Sequence, residues 1–198
     1  MSPSGRPRSF DRDKALETVM RLFWQKGFES TSKRDIMEAT GLASQSLYNT
    51  FGDKHDLFME AVRHYAESHL RQIEEPLKAE GSPLENLERV VQIWADPPPG
   101  FEEGCLLCNS LAEFGSEDNE VALFLKKKMG DAQRLFEECL ERALQHGELA
   151  PGSDIKGIAS QLMCTGIGAS ILRRADAPQA MLEDTVRSTV AFLRGLRT

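Results

Sequence analysis

The 198-residue sequence lacks several features that would assign it to a particular class of protein. It has no apolar run of about 18 residues, so neither a membrane-spanning helix nor a membrane partner is expected. Its first ten residues have no apolar core, so they are not expected to form a signal peptide. Its four cysteines follow no regular framework, which favours a reducing compartment and predicts a cytoplasmic location.

Catalytic signatures are missing as well. The sequence contains no Walker A motif, no H-E-x-x-H and no G-x-S-x-G. The Gly-Ile-Gly segment at 166–168 lacks the third glycine of a dinucleotide fingerprint, because Ile171 occupies that position. His55, His64 and His69 are not four residues apart, so they are expected to lie on the surface rather than to form a metal pair. We therefore predict no enzyme, no metal site and no cofactor.

What is present is helical periodicity. Strand-like alternation is absent, and Gly and Pro punctuate the chain at wide spacing, so the sequence predicts an all-α protein. One long helix is predicted from Asp53 to about Glu75, with Pro76 marking the break after it.

The stretch from Thr31 to Phe58 predicts two short helices joined by a tight turn. Ser32 can cap the first helix, and Asp35, three residues later, can complete a capping box. Gly41 supplies the left-handed backbone that ends the helix sharply. The second helix offers uncharged hydrogen-bonding side chains, which suit the reading of base edges in a major groove.

This stretch resembles the DNA-binding segment of the TetR family of transcriptional repressors. The matching residues are Thr31-Ser32, Gly41, Leu47-Tyr48, Phe51, Lys54 and Leu57-Phe58. The resemblance implies an N-terminal arm and three-helix helix-turn-helix domain over 1–56, and a helical effector-binding and dimerisation domain over 57–198. Ala43 departs from the family pattern, because a Ser or Thr usually caps the recognition helix there, and Ser44 is the alternative cap.

The uneven distribution of charge reconciles an overall net charge of −7 with DNA binding. Residues 1–56 hold nine Lys and Arg against eight Asp and Glu, whereas residues 57–198 hold fifteen against twenty-three. DNA affinity depends on local phosphate contacts, so the acidic total does not exclude it. The arm from Ser2 to Ser9 contains Arg6 and Arg8, which could lie on phosphates or enter the minor groove; a solvated tail is the alternative.

Nine residues are predicted to contact DNA. Residues at the start of the first helix of the motif can meet phosphate through amides, hydroxyls and cations, and Lys54 can do so as a point charge. Gln45 and Asn49 can each form two hydrogen bonds with adenine. For Ser44 and Ser46 the alternative is a surface or capping hydroxyl. The predicted set is Ser32, Lys33, Arg34, Ser44, Gln45, Ser46, Tyr48, Asn49 and Lys54.

The segment from Gly104 to Leu106 is similar to the regulatory domain of a TetR subgroup. There a Gly-Cys-Leu sequence opens a helix that lines the effector pocket, and in some members the cysteine reacts with electrophiles. The predicted pocket residues, each of which could instead belong to the core, are Trp94, Phe101, Cys105, Asn109, Phe114, Phe124 and Met163.

Cys105 and Cys108 form a C-x-x-C unit, but no second pair or nearby His completes a zinc site. A helix N-terminus would lower the pKa of the Cys105 thiol, whereas Glu102 and Glu103 would raise it. Structural and sensor roles for these thiols therefore both remain open.

Two final helices are predicted, over 156–174 and 178–196, with small residues on the first and an apolar stripe on the second. They suit a four-helix interface between two copies of the chain, as in the family; packing within one chain is the alternative. We predict a ligand-responsive repressor that binds palindromic operator DNA as a homodimer and is released by a small-molecule effector. The alternatives are a thiol-based redox or electrophile sensor acting through Cys105, and a small-molecule binding protein with a vestigial helix-turn-helix.

Overall fold

The structure is a computed structural model, and it describes residues 10–97, 104–115 and 119–198. Within these ranges it contains nine α-helices and no β-strand, which confirms the all-α prediction. The predicted N-terminal arm and Phe101 lie outside the described residues. The helices are α1 (Arg12–Lys26), α2 (Lys33–Thr40), α3 (Ser44–Phe51), α4 (Lys54–Lys78), α5 (Pro83–Ile93), α6 (Leu106–Phe114), α7 (Glu120–Gln145), α8 (Ile155–Arg174) and α9 (Gln179–Gly195).

The chain divides into two compact units, with the boundary between His64 and Tyr65. This boundary falls inside α4, so that helix contributes residues to both units. Residue 56, where the sequence predicts the domain boundary, lies in the first turn of the same helix.

An aromatic cluster forms the core of the first unit. Asp11 caps α1 by accepting a hydrogen bond from the backbone N–H of Lys14. Phe23 of α1 meets Phe58 of α4 edge-on, with ring centroids 5.0 Å apart. Phe28 lies against the same ring, also at 5.0 Å. These contacts fix α1 and the start of α4 as the support for the two short helices between them.

The second unit is a bundle in which α7 packs against α5, α6 and α8, while α9 packs against α5 and α8. Its core is made mainly of aliphatic side chains, which recur at helical spacing and are fully buried. Representative members are Leu84, Leu87, Val91, Leu140, Leu162 and Leu193.

The predicted break of α4 at Pro76 is wrong, because the helix continues to Lys78. Proline removes only one backbone N–H donor, and near the end of a helix few further i→i−4 hydrogen bonds remain that it could disrupt. The side chain of Arg142 on α7 donates to the carbonyl of Leu77, which satisfies one of the last acceptors of α4.

α8 is long and apolar enough, by length and composition alone, to cross a membrane. Its mean hydropathy reaches 1.3 over an 18-residue window, of which 22% is buried within the chain. A core or interface helix of a soluble protein meets the same criteria, so one such helix is weak evidence for a membrane span.

Candidate functional site

The first short helix of the motif has the two ends that its sequence predicts. Ser32 N–H donates to the Asp35 carboxylate at 2.8 Å, and Asp35 N–H donates to Ser32 Oγ at 3.1 Å, which confirms the capping box. A hydrogen bond from Lys26, followed by those from Ser32, holds the pKa of Asp35 well below its ordinary value. Gly41 ends α2 with φ of 67° and donates to Met37.

The second short helix, α3, begins without a side-chain cap. Ala43 occupies the N-cap position and Ser44 is already the first helical residue, so Ser44 does not replace the missing cap. Leu47 and Phe51 of α3 are buried in the core of the first unit. The predicted base-reading side chains therefore occupy the other faces of α3: Gln45 and Asn49 are exposed, whereas Ser44, Ser46 and Tyr48 are half-buried.

The hydroxyl of Tyr48 is buried and has no hydrogen-bond partner among the described residues. Its burial, and next the charge of Asp53, raise the pKa of the phenol. The Lys33 ammonium lies 5.0 Å from the centroid of the same ring. In this conformation the Tyr48 hydroxyl is not presented to a phosphate, whereas Lys33 remains exposed beside it.

The remaining predicted cations lie near both ends of the motif. Arg34 is exposed and pairs with Glu38 at 2.7 Å, an arrangement that solvent screens. Lys54 Nζ lies 4.3 Å from the ring centroid of Phe28 at the start of α4. That helix begins with a second box, in which Asp53 and Asp56 exchange backbone-to-carboxylate hydrogen bonds of 2.9 and 3.0 Å.

A cavity of about 420 Å³ lies within the second unit, between the later half of α4 and helices α5 to α8. A few polar groups, among them His69, Lys128, Ser170 and Arg173, interrupt its apolar walls. The apolar lining includes Leu70, Ile73, Val90, Ile93, Leu107, Leu111, Met129, Phe136, Leu162 and Ile167.

Three of the predicted pocket residues, Trp94, Cys105 and Met163, line this cavity. Asn109 and Phe114 are buried on α6 but do not form part of the wall. Phe124 is half-buried on α7, where Lys128 Nζ lies 5.6 Å from its ring centroid. The cavity wall thus includes the candidates at the end of α5, at the N-cap of α6 and within α8. The candidates inside α6 and on α7 lie away from this wall.

Two glycines allow loop residues to approach α8 closely. A Cβ at Gly166 would lie 2.9 Å from Cζ2 of Trp94, so the indole ring rests directly on the helix backbone. Gly104 has φ of 81°, and a Cβ there would lie 2.6 Å from the carbonyl oxygen of Ser170. The Gly before Cys105 therefore fixes the first turn of α6 against α8.

At this point the structure assembles a cluster that the sequence did not reveal. Cys105 is the N-cap of α6, and its backbone N–H donates to Ser170 Oγ at 2.7 Å. Its Sγ lies 3.5 Å from Nε2 of His69. The ring of Tyr65 stacks on that of His69, with centroids 5.1 Å apart. No group of three or more potential ligands within the described ranges is arranged to hold a metal ion.

The cluster stabilises a thiolate at Cys105. A hydrogen bond from Cys108 lowers the pKa of Cys105, burial opposes this, and the positive charge of His69 lowers the pKa further, to well below its ordinary value. The hydrogen bond to that thiolate, and next burial, raise the pKa of Cys108, which is half-buried. Burial lowers the pKa of His69, but the charge and hydrogen bond of Cys105 outweigh it, and the net shift is upward.

The expectation that His69 is a surface residue is wrong, since its ring is partly buried among Tyr65 and Cys105. Thirty-six positions separate His69 from Cys105, so no local motif could join them. One signal was available, because His69 follows Tyr65 by four residues and so continues the apolar stripe of α4.

Comparison with known proteins identifies the family. Residues 83–189 match the model of the tetracyclin repressor-like C-terminal domain, and residues 15–61 match that of bacterial regulatory proteins of the tetR family. The HTH-type transcriptional regulator YezE of Bacillus subtilis (strain 168) is 31% identical over 192 residues, which span 96% of this chain and 99% of YezE. The HTH-type transcriptional repressor ComR of Escherichia coli (strain K12) is 30% identical over 191 residues, covering 94% of this chain and 90% of ComR.

A solved structure agrees with this assignment. A cysteine-substituted variant of the TetR family transcriptional regulator CifR, in complex with 26-bp double-strand operator DNA, superposes with a TM-score of 0.83. It is 31% identical and covers 94% of this chain and 98% of its own. These relatives are DNA-binding regulators rather than enzymes, which confirms the predicted class. The chain therefore belongs to the TetR family of transcriptional regulators.

Proposed function

We propose that this regulator is a ligand-responsive repressor, which binds palindromic operator DNA as a homodimer and leaves it when a small molecule fills the cavity of the second unit. The observation that carries this proposal is the cavity itself. Its volume of about 420 Å³ lies in the range of small-molecule sites, and its walls are mainly apolar with a few convergent polar groups.

DNA binding is assigned to residues 1–56, with α3 in the major groove. Gln45 and Asn49 are exposed on α3 and carry amides that can pair with adenine. Lys33, Arg34 and Lys54 provide the cations for the phosphates on either side. Ser32, Ser44, Ser46 and Tyr48 complete the proposed surface, although the buried hydroxyl of Tyr48 would first have to rotate outward.

The homodimer is proposed to form through α8 and α9. On α8, the exposed residues Cys164, Gly168 and Ile171 recur at three- and four-residue spacing. Ile171 is 38% exposed and Met181 of α9 is 48% exposed, so each of the two helices presents a large apolar side chain that a second copy could cover. Two-fold pairing of these faces would place two recognition helices about one DNA turn apart.

The effector is expected to be largely apolar. The cations near the cavity already have partners: Arg173 donates to the Trp94 carbonyl, and Lys128 lies 3.3 Å from the Asp131 carboxylate. A strongly anionic ligand would have to displace these contacts. Release from DNA further requires that the effector bind the DNA-incompetent state more tightly than the competent one.

The test combines ligand binding with operator binding in one protein. A thermal-shift screen identifies a compound that raises Tm, and fluorescence anisotropy then measures whether it releases the chain's own upstream DNA. Filling the cavity with Met163→Trp should abolish both responses and keep operator affinity. Leu123→Trp, at a position that is 60% exposed, is the matched control and should respond like the wild type.

Two results would contradict the proposal. Ligand binding without any sequence-specific DNA complex at low salt would favour a binding protein with a vestigial helix-turn-helix. Release that persists unchanged in Met163→Trp would place the effector site outside the cavity.

Action on bacterial DNA also requires a cytoplasmic location, which we propose for the chain.

A second candidate function is thiol-based sensing through Cys105. The observation that favours it is the pairing of Cys105 with His69 at 3.5 Å, together with its place on the cavity wall. Cys105→Ser should bind operator DNA normally and lose any response to thiol reagents. An unchanged response in that variant would exclude Cys105 as the sensor.

A further inference from the structure

We propose that Cys105 and Cys108 form a hydroperoxide-reactive dithiol, in which Cys105 attacks the peroxide and Cys108 then closes a disulfide across the first turn of α6. The chemistry stands on the cluster alone, whereas its consequence for DNA binding rests on the function proposed above.

The two sulfurs occupy helix positions whose side chains naturally meet. Cys105 is the N-cap of α6 and Cys108 is its third residue. These are the positions that face each other in a capping box, where the side chain at each one reaches toward the other. Residues three apart in a helix have Cβ atoms about 5–6 Å apart, a short step from disulfide geometry. Both residues line the same cavity wall beside His69, and a hydrogen bond between their side chains lowers the pKa of Cys105 and raises that of Cys108.

The cluster distinguishes the attacking sulfur from the resolving one. Cys105 receives the hydrogen bond, lies against the His69 ring and caps a helix N-terminus, and all three features favour its thiolate. Cys108 keeps its proton, because its pKa is raised by the same hydrogen bond and by burial. Only one of the pair is therefore a nucleophile in the reduced protein.

A small oxidant can reach both sulfurs from the cavity. Cys105 is buried, but it and Cys108 both line the cavity wall, and His69 lies on the same wall. Cys139 is also buried and lies elsewhere, where its thiol faces the carbonyls of Leu77 and Pro83. Oxidation should thus favour the C-x-x-C pair over Cys139.

The reaction consumes one hydroperoxide and both thiols. The Cys105 thiolate attacks the terminal oxygen of the hydroperoxide, the O–O bond breaks, and the alkoxide takes a proton from the His69 imidazolium to leave as an alcohol. Cys105 is now a sulfenic acid. The Cys108 sulfur attacks it, the S–O bond breaks, and the departing hydroxide leaves as water with the Cys108 proton. Two thiols are oxidised to a disulfide and one peroxide is reduced to an alcohol and water.

The disulfide would change the cavity wall. It removes the negative charge that faces His69 and ties the N-cap of α6 to its third residue. Because the Cys105 N–H also donates to Ser170 Oγ of α8, a change in this turn would move part of the wall that the proposed effector contacts. Under the proposed function, oxidation and effector binding would therefore act on the same equilibrium between DNA-bound and free protein.

The test is mass mapping of the full-length protein after treatment with cumene hydroperoxide. The wild type should lose the mass of two hydrogens, with the loss mapped to the peptide that contains both cysteines. Cys108→Ser should stop at a sulfenic acid on Cys105 that dimedone traps, and Cys105→Ser should leave Cys108 unmodified. Cys164→Ser removes the exposed thiol on α8 and should behave like the wild type.

His69→Gln tests the positioning role of the imidazole. It should slow the formation of the disulfide several-fold and shift its pH profile upward, while excess peroxide still produces the same product. A wild type that accumulates sulfenic acid without a disulfide, or that crosslinks through Cys164, would overturn the proposal. So would a Cys105→Ser protein whose Cys108 is oxidised at the wild-type rate.

Operator affinity, measured on the reduced and oxidised samples, tests the proposed function separately from the dithiol. A disulfide that forms in a protein without sequence-specific DNA binding would refute the proposed function and uphold the dithiol. A disulfide that leaves operator affinity unchanged would refute the regulatory consequence alone.

Discussion

The substitution Gly166→Ala tests the wall of the cavity with a single methyl group. The new Cβ would lie 2.9 Å from Cζ2 and 3.0 Å from Cε2 of Trp94, closer than packed side chains tolerate. Either the indole ring moves into the cavity or α8 moves away from it. Overpacking of this kind typically costs about 1–3 kcal/mol.

A second glycine supplies the control, because alanine also improves helix propensity. Gly130 lies inside α7, and nothing lies within 4 Å of a Cβ built there. Gly130→Ala should therefore show the propensity gain alone, about 1 kcal/mol. The difference between the two variants cancels that gain and isolates the contact with Trp94, which should be about 1–3 kcal/mol.

Urea unfolding measures the free energy of unfolding of both variants. The protomer concentration is kept fixed, because the stability of an oligomer depends on it. In a protein of this size the expected difference corresponds to a Tm gap of about 2–12 °C. A Trp24→Phe background leaves Trp94 as the single tryptophan, so its emission should shift in Gly166→Ala and stay constant in Gly130→Ala. Equal stability and equal emission in the two alanine variants would refute the close packing of Trp94 on α8.

Three further predictions address DNA, the dimer and the thiolate. Asn49→Ala should weaken operator binding by about 1–3 kcal/mol and leave binding to unrelated DNA unchanged, as anisotropy on both sequences would show; equal losses would exclude base readout. A Cβ at Gly168 would meet no other atom of its own chain. If α8 faces a second copy, Gly168→Ala should therefore weaken the dimerisation measured by ultracentrifugation, whereas Gly130→Ala should leave it unchanged. Because the pKa of Cys105 is lowered, its iodoacetamide reactivity should persist on acidification until that pKa is passed, and His69→Gln should move this loss to higher pH; an unshifted profile would exclude the imidazole as its cause.

The sequence predicts local structure wherever the physical cause is local. Ser32 and Asp35 form their capping box, and Gly41 adopts the left-handed backbone, because each depends only on residues a few positions away. Ala43 shows the same rule in reverse, since the missing hydroxyl leaves α3 without a side-chain cap. The end of α4 was not predictable in this way, because the carbonyl of Leu77, one of its last acceptors, is satisfied by Arg142, more than sixty residues later.

The candidate site divides along the same line. The residue types on α3 predict a DNA-reading surface directly, since each side chain would act alone on its own base or phosphate. The state of Cys105 depends instead on His69 and Ser170, which come from α4 and α8. Local sequence around Cys105 gave opposing effects on its pKa. In the fold a hydrogen bond from Cys108 is the largest cause that lowers this pKa, and the charge of His69, which the sequence did not place here, lowers it further.

Since the thiols and the proposed effector share one wall, binding and modification should compete. A compound that fills the cavity covers Cys105 and Cys108, so it should slow their alkylation by N-ethylmaleimide in proportion to its occupancy. Cys139, which is buried against Leu77 and Pro83 away from this wall, is an internal control whose slow rate should not change within the same sample. Half-protection should occur at the ligand concentration that half-saturates the Tm shift. Protection of Cys139 to the same degree would mean that the compound acts on the reagent or on the whole fold, and a Tm shift without protection of Cys105 would place the compound away from this wall.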